Sequence, residues 1–231
     1  MDTVIPPPEP VLLRVAGETR RFPVRRVYCV GRNYAAHTRE MGADPGREPP
    51  FFFMKPADAV VGNGACVPYP PATADLHHEV ELVVALGTGG ADIAPEAARD
   101  HIYGYAVGID LTRRDLQQVA KDRARPWDTA KGFDNAAPCG DIEPAAKIGH
   151  PTRGAISLSV DGHPRQRGDL ADMIWPVPEI IAHLSRLFTL HAGDLIYTGT
   201  PAGVGALRPG DRLDATIDGL AALSLTVGEA G

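Results

Sequence analysis

The chain has 231 residues, long enough for one large domain or two small ones with a real buried core. Hydrophobic residues make up 44% and the formal net charge is −6, which excludes a disordered composition and argues against a nucleic-acid partner. No apolar run approaches the roughly 20 residues of a membrane span, and MDTVIPPPEP lacks the basic start and apolar block of a signal peptide, so a cytoplasmic protein with no membrane partner is expected.

Cys29, Cys66 and Cys139 form no disulfide framework and no zinc pattern, and they read as reduced thiols. The 25 glycines and 22 prolines run along the whole length and favour short strands joined by tight turns.

In chain order, residues 1–25 read as an N-terminal extension with a strand or two, PPPEP staying extended, and residues 26–231 as a single domain without repeat or linker. RRVYCVGRNYAAH begins as a strand and breaks at Gly31, and NYAAHTREMG predicts a short helix stopped by Gly42. REPPFFFMKPADAVVGNG predicts a strand ending at Lys55-Pro56, because proline cannot serve an interior ladder. A strand follows over residues 79–86, then a short helix in APEAARDHI and a strand in YGYAVGIDL ending at Asp110. TRRDLQQVAKDRA predicts an amphipathic helix with Leu116, Val119 and Ala120 on one side and Thr112 and Asp115 at the spacing of a capping box. AISLSVDGHPR alternates and turns at Asp161-Gly162, a hairpin signal. VPEIIAHLSRLF gives the clearest helix pattern, with Pro178 in its first turn, and short strands close the chain. The expected class is α+β, β-rich, with a few short helices.

The stretch LHHEVELVVALG carries two carboxylates in a run built for burial. Alternate side chains of a strand share a face, so Glu79 and Glu81 point the same way. Burying both without compensation costs several kcal/mol. An Arg or Lys satisfies them, or a hard divalent ion with oxygen ligands does so better; Asp110, at the end of another apolar strand, then offers a third oxygen. The open alternative is a wet edge strand. His37 and Glu40, three apart in AAHTRE, fall on one helical face, either as a proton-accepting pair or as a solvated surface. Arg114 and Gln117 have the same spacing. TGTPAGVG, residues 198–205, lacks the Gly-Lys-Ser/Thr ending and following helix of a phosphate loop, which argues against a nucleotide site.

CVGRNYAAHTREMG, PFFFMKPADAVVG, DLHHEVELVVALG, GYAVGIDLTRRDLQ, PWDTAKGFDNAAPCG and GDLIYTGTPAGVG occur in one order, and together they resemble the fumarylacetoacetate hydrolase family, more narrowly its small bacterial acylpyruvate and fumarylpyruvate hydrolases. The resemblance runs from about residue 25 to the C-terminus. It implies a mixed β-sandwich or roll forming one catalytic domain, one Mg²⁺ or Mn²⁺ ion held by Glu79, Glu81 and Asp110, and His77 orienting that group. It implies His37 and Glu40 as a water-activating dyad on a lid, and Gln117 and Lys131 as oxyanion stabilisers. Lys55, Arg114 and Thr200 are implied as substrate-binding, Thr200 at the substrate carboxylate with Gly199, Gly203 and Gly205 allowing close backbone approach. The implied substrate is a small 2,4-dioxo acid, best fumarylpyruvate, cleaved to fumarate and pyruvate in aromatic (gentisate-type) catabolism by a homodimer. Rival activities on the same platform are oxaloacetate decarboxylation and 2-hydroxydienoate isomerisation; an inactive binding module is the rival from another class.

Overall fold

Alternation and burial build two sheets. In a computed structural model, which describes residues 3–41 and 48–230, Ala155–Val160 alternates strictly, with Ile156, Leu158 and Val160 inward. It belongs to a five-stranded sheet ordered His163–Asp169, Ala155–Val160, Arg212–Ile217, Leu223–Ala230, Cys66–Tyr69. One apolar face suffices for such a strand. Val80–Leu86, by contrast, is buried at every position. It lies inside a six-stranded sheet ordered Glu143–Pro144, Ile102–Ile109, Val80–Leu86, Asp194–Tyr197, Arg26–Gly31, Phe51–Lys55. Asp194–Tyr197 runs parallel to Arg26–Gly31 and antiparallel to Val80–Leu86. Ala155–Val160 and Arg212–Ile217 lie against Val80–Leu86 and Ile102–Ile109, and both sheets feed one hydrophobic core.

The chain changes sheets at Glu79. Leu76–His78 pairs with Thr112–Arg113 and Gly205–Leu207 in a separate three-stranded sheet, and the buried strand begins at Val80. Residues 12–23 form a hairpin, Leu12–Arg14 against Arg21–Pro23, whose Leu13 and Phe22 join the common core. Asp161 and Gly162 make the expected hairpin turn with φ of 51° and 75°. The helix Val177–Leu187 buries Ile180, Ile181 and Leu184 with Pro178 in its first turn. No helix among the described residues is long and apolar enough to cross a membrane.

Two sequence expectations change and one is left open. The predicted helix stop at Gly42 lies outside the described residues; the helix itself spans Ala35–Glu40. APEAARDHI forms turns and a short 3-10 segment, Ala98–His101. Thr112 and Asp115 form no capping box: the helix begins at Arg114 after an N-cap at Arg113 with no side-chain cap. The Asp115 carboxylate instead accepts from Thr73 Oγ1 at 2.6 Å and Ala74 N at 3.0 Å, tying the helix start to the preceding loop.

Candidate active site

Strand register assembles the acidic centre. Val80 faces Ile109 and Glu81 faces Gly108 across the antiparallel pair, and Asp110 N donates to the Glu79 carbonyl at 2.8 Å. Oxygen atoms of Glu79, Glu81 and Asp110 come within 4.8 Å of one another. The three residues are 5%, 2% and 0% exposed, which excludes the wet-edge alternative.

Cations answer two of the three carboxylates. Glu79 accepts from Arg114 Nη2 and from Lys131 Nζ, the latter at 2.8 Å. Lys131 Nζ also donates to Asp110 Oδ2 at 2.7 Å and Thr112 Oγ1 at 2.6 Å. Lys55 Nζ lies 2.8 Å from Asp110 Oδ1 as an ion pair and donates to the Leu111 and Lys131 carbonyls. Burial alone would raise the Glu79 pKa, but Lys131 and Arg114 override it and hold this carboxyl well below its usual range. Burial would lower Lys131, yet Asp110 and Glu79 leave it raised.

Glu81 is different. Its hydrogen bond comes from the Gly199 backbone N–H at 2.7 Å. Burial, then Asp110 and Glu79, push its pKa well up. Asp110 Oδ1 has no hydrogen bond beyond the Lys55 ion pair. An all-oxygen cluster with one carboxylate lacking a cation fits a hard divalent ion.

Beside this centre stands the expected pair. His37 Nδ1 lies 3.2 Å from Glu40 Oε2, with His37 buried. A carboxylate acceptor favours the proton on Nδ1 and leaves Nε2 as a base. Glu40 is fixed in turn by the Gly203 N–H, at 3.0 Å to Oε1 and 3.2 Å to Oε2. Gly203 has φ of +96°, and a Cβ there would meet the Arg165 carbonyl at 2.2 Å. Gly199 also has φ of +96°, pressed against Asn33. Gly205 sits in a strand with no such approach, so the expectation of a tight turn holds for two of these three glycines.

His37, Glu79, Glu81, Asp110, Arg114, Gln117, Lys131 and Thr200 line one cavity. Glu40 stands behind His37. Lys55 is buried behind Asp110, with its ammonium held by Asp110 and two carbonyls, and does not line the cavity wall. All three Lys131 N–H groups are committed as described above, so this ammonium acts on the cavity as a fixed charge. Gln117 Oε1 accepts from Arg114 Nη1 at 2.6 Å, leaving its Nε2 hydrogens without a partner among the described residues. The Thr200 hydroxyl donates to the Val80 carbonyl at 2.8 Å and accepts from Gln166 Nε2 at 2.8 Å, leaving no hydroxyl proton for a substrate anion. His77 holds Asp75 Oδ1 at 2.9 Å and accepts from Arg114 Nε at 3.4 Å, so it touches the acidic centre through Arg114.

Sequence reasoning missed Gln166, Asn33, Arg32 and Lys121. Gln166 is 1% exposed within an otherwise largely exposed strand; it ties His78 Nδ1 (2.8 Å) and Val80 N (3.0 Å) to Thr200. Asn33 Nδ2 donates to the Thr198 and Trp175 carbonyls, joining the turn before the His37 helix to the segments at Gly199 and Trp175. A polar residue on a strand carries no signal of such a bond across the fold. Arg32 and Lys121 also line the cavity. Burial lowers the Lys121 pKa, with the Arg114 and Arg32 charges adding to it.

The fold and site define a metallohydrolase-like centre: a buried carboxylate triad beside a histidine–glutamate pair on a short helix. The chain belongs to the fumarylacetoacetate hydrolase family, matching the family's "Fumarylacetoacetate (FAA) hydrolase C-terminal" model over residues 26–228. It is similar to the fumarylpyruvate hydrolase of Ralstonia sp, at 46% identity over 81% of this chain and 97% of that one. It is similar to an oxaloacetate tautomerase of Escherichia coli K12, at 45% identity over 86% of this chain and 90% of the relative. Its structure matches a fumarylpyruvate hydrolase from Pseudomonas aeruginosa in complex with Mn²⁺ and pyruvate, with TM-score 0.97, 53% identity, and coverage of 99% and 100% of the two chains.

Proposed function

We propose that this chain is a metal-dependent hydrolase cleaving a carbon–carbon bond in an acylpyruvate, with fumarylpyruvate as substrate and fumarate and pyruvate as products. The observation that carries this reading is the meeting of the acidic triad and the His37–Glu40 pair in one cavity. The likeness to fumarylpyruvate hydrolases of Ralstonia and P. aeruginosa supports the substrate. Glu79, Glu81 and Asp110 are the residues that would hold Mg²⁺ or Mn²⁺, and such an ion, when bound, supplies Lewis acidity to the oxo-acid end of the substrate.

The chain's own groups do the rest. His37 takes a proton from water at Nε2 while Glu40 holds the proton on Nδ1, and the hydroxide adds to the C4 carbonyl. Gln117 Nε2 donates to the oxygen that turns negative; one such donor is worth about 3 kcal/mol. Lys131 adds fixed positive charge. Arg114 orients Gln117 and Glu79 together, and Lys55 steadies Asp110 from behind. Protonated His37 returns its proton to the pyruvyl carbon as the bond breaks. Thr200 meets substrate through its backbone. Homodimeric assembly, a cytoplasmic setting and a role in gentisate-type aromatic breakdown belong to the same reading and rest on the family resemblance.

The E. coli relative supports a second reading, oxaloacetate tautomerisation, which uses the same base and needs no water. Incubation with fumarylpyruvate and with oxaloacetate, each with Mg²⁺ or Mn²⁺, separates the two. The hydrolase reading expects fumarate and pyruvate in equal amounts from the first; turnover of oxaloacetate alone replaces it with the second.

A further inference from the structure

Two cations at the cavity mouth have no part in that chemistry. Arg32 and Lys121 line the same cavity as His37 and the triad. Neither side chain has a hydrogen-bond or ion-pair partner among the described residues, and each cation lies over an aromatic ring. The Arg32 guanidinium lies 5.7 Å from the Phe51 ring centre and the Lys121 ammonium 5.8 Å from that of Trp127. Phe51 and Trp127 meet edge to face at 5.4 Å, so the two rings pack together with a cation over each, and Trp127 joins Phe53 in lining the cavity.

The backbone is shaped for this arrangement. Gly31 admits the Phe51 ring, which would strike a Cβ there at 2.0 Å. Arg32 itself adopts φ of +57°, a left-handed conformation that a non-glycine residue rarely takes. Like charges facing a partly apolar mouth repel each other, and an anion between them removes that repulsion. The three carboxylates repel an anion on their side of the cavity. The cavity lining therefore has an acidic part, Glu79, Glu81 and Asp110, and a basic part, Arg32 and Lys121, next to Trp127.

We propose that Arg32 and Lys121 are specificity-determining residues that bind the terminal carboxylate of the acyl group, so that the chain selects acylpyruvates ending in a carboxylate over those ending in a neutral methyl group. The inference rests on the acylpyruvate reading of the site and names which acyl groups it takes. The flat conjugated carbons between carboxylate and C4 lie along Phe53 and Trp127, the aromatic rings that line this cavity.

The test compares kcat and KM for fumarylpyruvate and acetylpyruvate, with Mn²⁺, in the wild type, K121M, R32M and K121R. The wild type favours fumarylpyruvate in kcat/KM. K121M and R32M lower that preference about ten- to hundredfold, the cost of one lost charge-assisted contact, mainly through KM. K121R retains it. A preference untouched by either methionine, or equal losses on both substrates, overturns the proposal. A parallel calorimetric titration with fumarate needs no turnover: weaker binding by K121M and R32M supports the role of the basic part, and unchanged binding overturns it. A wild type that hydrolyses neither acylpyruvate defeats the hydrolase reading, while the fumarate titration still decides the role of the two cations.

Discussion

The deep and outer ends of the cavity are built by different means. At the deep end every carboxylate of the triad sits on or beside a paired strand, and each cation is fixed by two or more bonds, as Lys131 is by Glu79, Asp110 and Thr112. At the outer end His37 rides a six-residue helix, and its partner Glu40 is anchored by the N–H of Gly203. Rigidity at the deep end keeps mutually repelling carboxylates together, and the lighter anchoring outside suits a base that must admit water and substrate.

Substitutions at the two ends should therefore separate stability from turnover. Asp110→Ala has the largest effect: it strips Lys55 and Lys131 of a shared counter-charge, and the expected loss is about 3–5 kcal/mol in urea unfolding together with all activity. Stability within 1 kcal/mol of wild type would falsify the claim that the acidic centre is held by these buried pairs. Glu81→Gln, whose side chain has no cation partner, should fold normally yet lose the rise in melting temperature that Mn²⁺ gives the wild type. A full metal-induced shift in this variant would show that Glu81 is not a ligand.

His37→Ala sharpens the contrast from the other end. kcat should fall by about 10²- to 10⁴-fold while Mn²⁺ still raises the melting temperature. Near-normal turnover would remove the base from the mechanism. Gly203→Ala acts one step further out. The new Cβ meets the Arg165 carbonyl at a φ that disfavours alanine, so the loop shifts and Glu40 loses its backbone donor. A cost of about 1–3 kcal/mol and a lower kcat are expected, and unaltered kinetics would detach this loop from the dyad. The smallest effect concerns thiols. Alkylation of the native protein should label Cys66 alone with activity retained, since burial pushes the Cys139 thiol up to about 12 and Cys29 well up. Mass spectrometry showing modified Cys29 or Cys139 would contradict a closed core.

Much of this was readable beforehand, for physical reasons. Glu79, Glu81 and Asp110 stood out because strand alternation and apolar surroundings make a buried carboxylate conspicuous in one dimension. His37 and Glu40 were visible through helical spacing. What one dimension hides is partnership across the fold. Lys55 and Lys131 stood out only through the family resemblance, and as substrate and oxyanion contacts; their attachment to Asp110 depends on strands and a short helix far apart in sequence. Thr112 and Asp115 matched a capping pattern, yet stronger partners claimed both, Lys131 for one and Thr73 for the other. Gln166 and Arg32 gave no signal, because neither periodicity nor propensity records which cavity a side chain will reach.

The middle of the six-stranded sheet has a consequence for biosynthesis. Asp194–Tyr197 is inserted between Arg26–Gly31 and Val80–Leu86, so its neighbours are made long before it. A growing chain cannot zip this sheet shut until Asp194–Tyr197, more than 100 residues after Val80–Leu86, has left the ribosome. Until then two strands rich in valine keep open edges, and protection of those edges by chaperones matters most before Asp194–Tyr197 emerges.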